Sequence, residues 1–207
     1  MNFLVLDFET LGVTTHTCPV VDCSHVTVNS EKMLSDNPYT FEEVVEMVDK
    51  TKFAVEQQVK EYGYVPEQDT IDWWRRQPAV VRKQVLPSVH DVDVKDWVKD
   101  FAQKIRIGPK IDLAFCRGTD FDPPILRRLL KDFGEAGVYE INLPFWKFRD
   151  TRSFFDGFFL FEAKNSFAPE DDENVWNEKF NKHDSEHDVA AEVLRLQVAH
   201  RLRADLI

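Results

Sequence analysis

An apolar run at the N-terminus, FLVL, breaks into Asp7 and Glu9, two acids one residue apart. Residues 2–7 lack a helical period and predict a buried first strand. VVDCSHVTV, at 20–28, alternates apolar and polar positions and predicts a second strand paired with the first. SDNPYT reads as a turn, 41–49 fits helix or strand equally, and KFAVEQQV reads as a third strand. The chain turns again at EYGYVPEQDT. TIDWWRRQPAVVRKQVL has helical spacing broken at Pro78, a residue suited to the first turn of a new helix. Over 93–105, Val94, Trp97, Val98, Phe101 and Ile105 share one helical face.

IDLAFCRG predicts a fourth strand. DPPILRRLLKDFG then predicts a helix with Asp122 as N-cap, Pro123 at its first position and Gly134 as its stop. NLPFWKFRD reads as a short fifth strand and DTRSFFDGF as a short helix. Residues 162–182, which include EDDEN, are polar and irregular and predict a mobile acidic surface loop. From Ser185 to Leu202 one amphipathic helix is expected, with Val189, Val193, Leu196 and His200 on its stripe. Strands first, then strands interleaved with helices, predict an α/β fold: a mixed sheet with helices packed on it.

Composition narrows the class. The 207 residues suit a single domain spanning 1–207. Seventeen Phe and five Trp predict an aromatic core. There is no apolar stretch of membrane-spanning length and no signal-peptide pattern at the N-terminus. Cys18, Cys23 and Cys116 are an odd set without framework spacing, so a reducing cytoplasm is expected. The formal charge of −11 argues against a protein that coats nucleic acid, because phosphate binding normally comes from a basic surface. It leaves room for an enzyme that holds only a strand end, the more so if several acids bind cations.

The chemistry concentrates in separated acids. Residues i and i+2 of a strand share a face, so Asp7 and Glu9 project together at the strand's C-terminal edge, where α/β sheets bind ligands. Two carboxylates this close are relieved by a shared proton or a shared hard cation. Asp122 follows a separate strand-to-helix turn and is preferred over Asp120. In NKHDSEHDVAAEV, Asp184 and Glu186 suit the helix dipole. Asp188 lies beside the apolar face and is the ligand candidate, while His183 precedes the helix and suits proton transfer near neutral pH. Four acids and a histidine of this kind serve two-cation phosphoryl chemistry.

LDFETLG, TIDWWRRQ, FCRGTDFDPPIL, FRDTRS and HDSEHDVAAEVL stand in family order from residue 4 to 194. Together they resemble the DEDDh 3′-5′ exonucleases of the DnaQ and RNase T kind. They are closer to phage DexA-type exodeoxyribonucleases and the nuclease domain of exonuclease VIII. The resemblance implies a ribonuclease H-like fold with a five-stranded mixed sheet. It implies that Asp7, Glu9, Asp122 and Asp188 hold two Mg²⁺ or Mn²⁺ ions, with His183 as general base. Asp184 stands where the related tyrosine class has its Tyr, which argues against that class. Thr10 is implied to meet the terminal 3′-hydroxyl through its backbone, with Leu11 wedged against the base; a turn-capping hydroxyl is the plain alternative for Thr10.

The implied activity is release of mononucleotides from the 3′ end of single-stranded DNA, in the host cytoplasm if the protein is phage-encoded. An exoribonuclease is the alternative with the same chemistry. A binding module that has lost its chemistry is the alternative of another class, and it is disfavoured because all five residues are present. Arg127, Arg128 and Lys131, or Arg75, Arg76, Arg82 and Lys83, offer a local basic track. Trp73 and Trp74 suit base stacking, although helical spacing favours one of them as core. Arg149 and Arg152 can reach phosphate or simply be solvated. Asp150 is expected to cap the helix at Thr151, and Cys18, Cys23 and His25 have strand positions rather than zinc spacing. Oligomeric state is unreadable.

Overall fold

The computed structural model describes residues 1–158, 180–181 and 183–204. Among them, β1 (Asn2–Thr10) and β2 (Val20–Asn29) form a long antiparallel pair, followed by α1 (Ser30–Leu34), α2 (Phe41–Met47) and edge strand β3 (Asp49–Lys52). Three short helices come next: α3 (Val55–Tyr62), α4 (Gln68–Arg76) and α5 (Ala79–Val85). Then come α6 (Val94–Ile107), β4 (Leu113–Cys116), α7 (Asp122–Asp132), β5 (Phe148–Asp150), α8 (Thr151–Phe158) and α9 (Ser185–Ala204). The sheet order is β3-β2-β1-β4-β5, with β1, β4 and β5 parallel and β2 and β3 antiparallel to their neighbours. This is the five-stranded mixed sheet of the ribonuclease H-like fold.

Two cores follow from the pleat of β1. Leu4, Leu6 and Phe8 face a core completed by Trp97, Val98 and Phe101 of α6 and Ile125, Leu126, Leu129 and Leu130 of α7. Phe3 and Val5 face the opposite core, with Met33 of α1, Phe41 and Val44 of α2, Phe155 of α8 and Val189, Val193 and Leu196 of α9. The expected aromatic interior is present: Trp97 stacks on Phe101 at 5.0 Å and meets Phe8 edge-on at 5.9 Å.

Several expectations shift. KFAVEQQV is not a strand: β3 ends at Lys52 and Val55 opens a helix. The reason is Gln58, which is fully buried. Its amide accepts from the Val20 N–H at 2.9 Å and donates to the Val20 carbonyl at 2.8 Å, mimicking a strand partner from a helix. Residues 41–49 resolve as a helix ahead of a strand. NLPFWKFRD shortens to β5 because Phe145–Lys147 form a 3₁₀ turn after Pro144. Pro78 sits at the cap before α5, not inside its first turn. Gly134, in the left-handed region at φ 81°, ends α7 as expected. The anticipated acidic loop at 162–182 lies outside the described residues except for 180–181. No helix among the described residues is long and apolar enough to cross a membrane.

Candidate active site

On β1, Asp7 and Glu9 continue the face of Phe3 and Val5, towards α9. Pairing of β1 with β4 runs only from Phe3–Leu113 to Val5–Phe115, so the end of β1 projects beyond its parallel neighbour. Asp122 fills that gap. Its Oδ1 accepts the Phe8 N–H at 3.1 Å, in place of a strand partner. Asp122 is therefore the first residue of α7 rather than its N-cap, which is Phe121. The carboxylate is spent on β1, not on capping its own helix. Only 2 % of Asp122 is exposed, whereas Asp120 is exposed and outside the site.

The third segment arrives with α9. Ser185, its first residue, donates to Asp22 Oδ1 at 2.6 Å, and its hydroxyl lies 2.7 Å from that of Ser24. These contacts tie the start of α9 to β2 and set the position of Asp188 one turn on. The His183 N–H donates to Asp188 Oδ2 at 3.0 Å, and His183 holds φ at 65°. The imidazole meets the Trp73 ring edge-on at 5.0 Å. Ligand atoms of Glu9, His183 and Asp188 all lie within 4.8 Å of one another. His187 turns elsewhere: its ring contacts Phe41 at 5.4 Å and its Nδ1 accepts the Asn181 N–H.

Burial and mutual repulsion hold these acids in a proton-hungry state. Burial first, then the charges of Asp122 and Asp188, raise the Asp7 carboxyl well above the usual carboxylate range. Glu9 is raised in the same way by burial and by Asp7 and Asp22. Asp122 is pushed up to about 7 by burial, against the opposing pull of the Phe8 N–H and Arg152. Asp188 reaches about 7 through burial and the nearby Glu192, against the His183 N–H. Buried and half-buried oxygen donors that repel one another fit a hard divalent cation, which would relieve that repulsion.

The loop after Glu9 is tied to its surroundings by backbone hydrogen bonds. Leu11 donates to the Pro19 carbonyl at 3.0 Å and accepts from the Glu67 N–H at 2.7 Å. A Cβ on Gly12 would come within 2.8 Å of the Cys18 Cβ. The Thr10 hydroxyl donates to the Gly12 carbonyl at 2.6 Å, the turn-capping role, and the Thr10 carbonyl accepts the Trp74 indole N–H at 2.9 Å. Trp74 is thus the core member of the pair and Trp73 the site member. Asp150 caps α8, accepting from the Arg152 N–H and the Ser153 hydroxyl at 3.0 and 3.1 Å. Arg149 is spent on the Trp146 and Phe148 carbonyls. The three cysteines are buried and unpaired with one another.

Sequence reasoning did not find the supporting shell. Asp22 lies opposite Glu9 in the β1–β2 register and is fully buried. Lys50 pairs with Asp184 at 2.5 Å; burial pulls its ammonium down, but Asp22 and Asp184 outweigh this and raise it. Glu192, one turn beyond Asp188, is shared by Arg117 at 2.8 Å and Arg195. Arg117 belongs to the FCRG stretch, whose arginine was visible but had no assigned partner.

Residues 2–193 match the family described as 3′-5′ exoribonuclease Rv2179c-like domain. The chain is 30% identical over 209 residues to the exodeoxyribonuclease of Enterobacteria phage T4, covering 95% of this chain and 88% of the phage protein. Its fold matches E. coli Exonuclease I in a zinc-bound single-stranded DNA complex, with a TM-score of 0.66 and 13% identity over 99% of this chain. Exonuclease I bound to a dT13 oligonucleotide matches equally, at TM-score 0.66 and 13% identity over 99% of this chain. The chain spans only 41% and 42% of those two Exonuclease I chains. With a family match over residues 2–193, nearly its whole length, the chain belongs to the 3′-5′ exoribonuclease Rv2179c-like domain family.

Proposed function

We propose that this protein removes mononucleotides from the 3′ end of single-stranded DNA by metal-assisted hydrolysis. The observation that carries the reading is the convergence of Asp7, Glu9, Asp122, His183 and Asp188, from separate segments, at one sheet edge. Asp7, Glu9, Asp122 and Asp188 would hold two Mg²⁺ or Mn²⁺ ions. Such ions, when bound, supply charge stabilisation to the attacking and leaving oxygens of an in-line displacement.

The protein's own groups do the rest. His183 takes a proton from the attacking water at an imidazole nitrogen; the Trp73 ring orients the imidazole, and the backbone N–H of His183, bonded to Asp188, fixes the turn that carries it. The water oxygen bonds to phosphorus, the bond from phosphorus to the 3′-oxygen of the penultimate nucleotide breaks, that oxygen takes a proton from solvent to become the new 3′-hydroxyl, and a 5′-mononucleotide leaves. The hydrogen-bonded Thr10–Leu11 turn borders Glu9 and positions the terminal nucleotide, Thr10 by its backbone and Leu11 by its side chain.

DNA is favoured by the phage T4 relative, an exodeoxyribonuclease aligned over nearly the whole chain. RNA is the second reading, favoured by the family's own description. Matched DNA and RNA oligomers labelled at the 5′ end, incubated with Mg²⁺, Mn²⁺ or chelator, separate the two. A metal-dependent ladder shortening from the 3′ end on DNA, abolished in a folded Asp7→Ala protein, is expected. Faster RNA cleavage transfers the reading to RNA. Undiminished cleavage by Asp7→Ala refutes the site.

A further inference from the structure

Beside the site lies a groove of about 510 Å³ lined by Arg127, Arg128 and Lys131 of α7 and by Tyr139, Phe145 and Phe148. Its lining has three cations and no acid, on a chain of net charge −11. Thr119, Pro123 and Pro124, which bracket Asp122 in sequence, line the groove as well. At about 1.5 Å per helical residue, Arg127 stands roughly 7.5 Å and Lys131 roughly 13.5 Å along α7 from Asp122.

The aromatic surface suits bases. Phe145 and Trp146 are 73 % and 59 % exposed with their rings 5.2 Å apart, so they form an exposed aromatic pair and not a lone surface ring. Tyr139 stacks on Phe148 at 5.7 Å, and the Arg127 guanidinium lies over the Tyr139 ring at 5.7 Å. Arg128 turns its guanidinium inward over the buried Tyr64 ring at 4.3 Å, which leaves Arg127 and Lys131 as the exposed cations of the groove. Cations that track a backbone beside rings that stack bases are the two components of single-strand recognition without sequence preference.

We infer that this groove holds the body of a single-stranded nucleic acid whose 3′ end occupies the carboxylate site. Resting on the exonuclease reading above, the inference adds a path for the nucleotides on the 5′ side of the reacting phosphate. At the stacked rise of about 3.4 Å per nucleotide, the stretch from Asp122 to Lys131 spans about four nucleotides. It also accounts for how an acidic protein attracts a polyanion: the cations are concentrated along one route. The competing route is the Arg75–Arg76 end of α4, where Arg75 already pairs with Asp72 at 2.8 Å.

The test compares Arg127→Glu/Lys131→Glu with Arg75→Glu/Arg76→Glu. Anisotropy of 5′-labelled dT12 is read in an Asp7→Ala background, so that the strand is not consumed. Turnover of the dinucleotide pdTdT is read with Asp7 intact. The groove variant should bind dT12 about tenfold or more weakly, with the slope of log K against log salt smaller by about 1.4. Its pdTdT turnover should fall by a smaller factor than its dT12 binding, because a dinucleotide spans about 6.8 Å and stops short of Lys131. Phe145→Ala should weaken dT12 about fivefold or more. Unchanged dT12 binding in the groove variant overturns the inference. So does equal loss of dT12 binding and pdTdT turnover, or a loss confined to the α4 variant. If the parent cleaves no nucleic acid the exonuclease reading fails, and the anisotropy arm still decides the groove.

Discussion

Neutralising one ligand should stabilise the metal-free protein. Asp122 is the cleanest site for the test because it is only 2 % exposed. Its carboxyl titrates at about 7 in the folded chain, against an ordinary 3.8. Between those values the folded chain keeps a proton that the unfolded chain has released, so stability falls as pH rises. The stabilising contribution is whole below pH 3.8 and gone above about pH 7. This displacement corresponds to on the order of 4 kcal/mol once the group is ionised, an upper bound that relaxation and water entry reduce. Asp122→Asn keeps an oxygen for the Phe8 N–H and removes the charge. At about 2–4 °C per kcal/mol for a chain of this size, the variant should melt at least about 4 °C above the parent in chelator at pH 8. The gap should close near pH 4. Saturating Mg²⁺ should raise the parent more than the variant, since the parent alone keeps the full ligand set. Differential scanning calorimetry at both pH values, with chelator and with Mg²⁺, reads all of this. A variant that melts below the parent at pH 8 in chelator would refute the claim that burial makes the ionised Asp122 carboxylate costly.

Three further outcomes follow from named contacts. His183→Ala should slow 3′-end hydrolysis by about 100-fold or more at saturating substrate, while His187→Ala, whose ring packs on Phe41, should leave the rate nearly unchanged; the reverse pattern would exchange their roles. Trp74→Phe removes the indole N–H that meets the Thr10 carbonyl; at about 1 kcal/mol for a hydrogen bond it should lower kcat/KM about fivefold, and no change would mean that the Thr10–Leu11 turn is set without it. Glu192→Ala removes the buried carboxylate shared by Arg117 and Arg195 and should cost about 3–5 kcal/mol in urea unfolding, with a loss below about 1 kcal/mol contradicting a supporting role.

What could be read from the sequence divides along the range of the interactions. Asp7 and Glu9 were legible because a period of two is local: once the strand is found, the shared face follows. The face of α6 and the left-handed stop at Gly134 were legible for the same reason. KFAVEQQV was misread because Gln58 owes its burial to Val20, which is 38 residues away in sequence. The N-terminus of α7 was misplaced by one residue because Asp122 bonds to Phe8 across 114 residues instead of to its own helix. Asp22 was invisible as part of the site. Its place opposite Glu9 depends on the β1–β2 register, and a slip of one residue would send it to the other face.

The mismatch in strand length then explains why a buried strand ends in acids. The ladder between β1 and β4 stops at Val5–Phe115, but β1 continues to Thr10. Beyond that point the Phe8 N–H has lost its strand neighbour, and a buried N–H needs an acceptor. A carboxylate satisfies it, and supplying one from α7 brings Asp122 to the edge already occupied by Asp7. The same overhang leaves the α9 face of Asp7 and Glu9 without the apolar partners that Phe3 and Val5 have. Asp188 and His183 occupy that space, held there by the Ser185–Asp22 and His183–Asp188 hydrogen bonds. Backbone satisfaction and ligand assembly are thus met by the same side chain. Extending β4 to cover Phe8 would complete the ladder and displace Asp122 from the site.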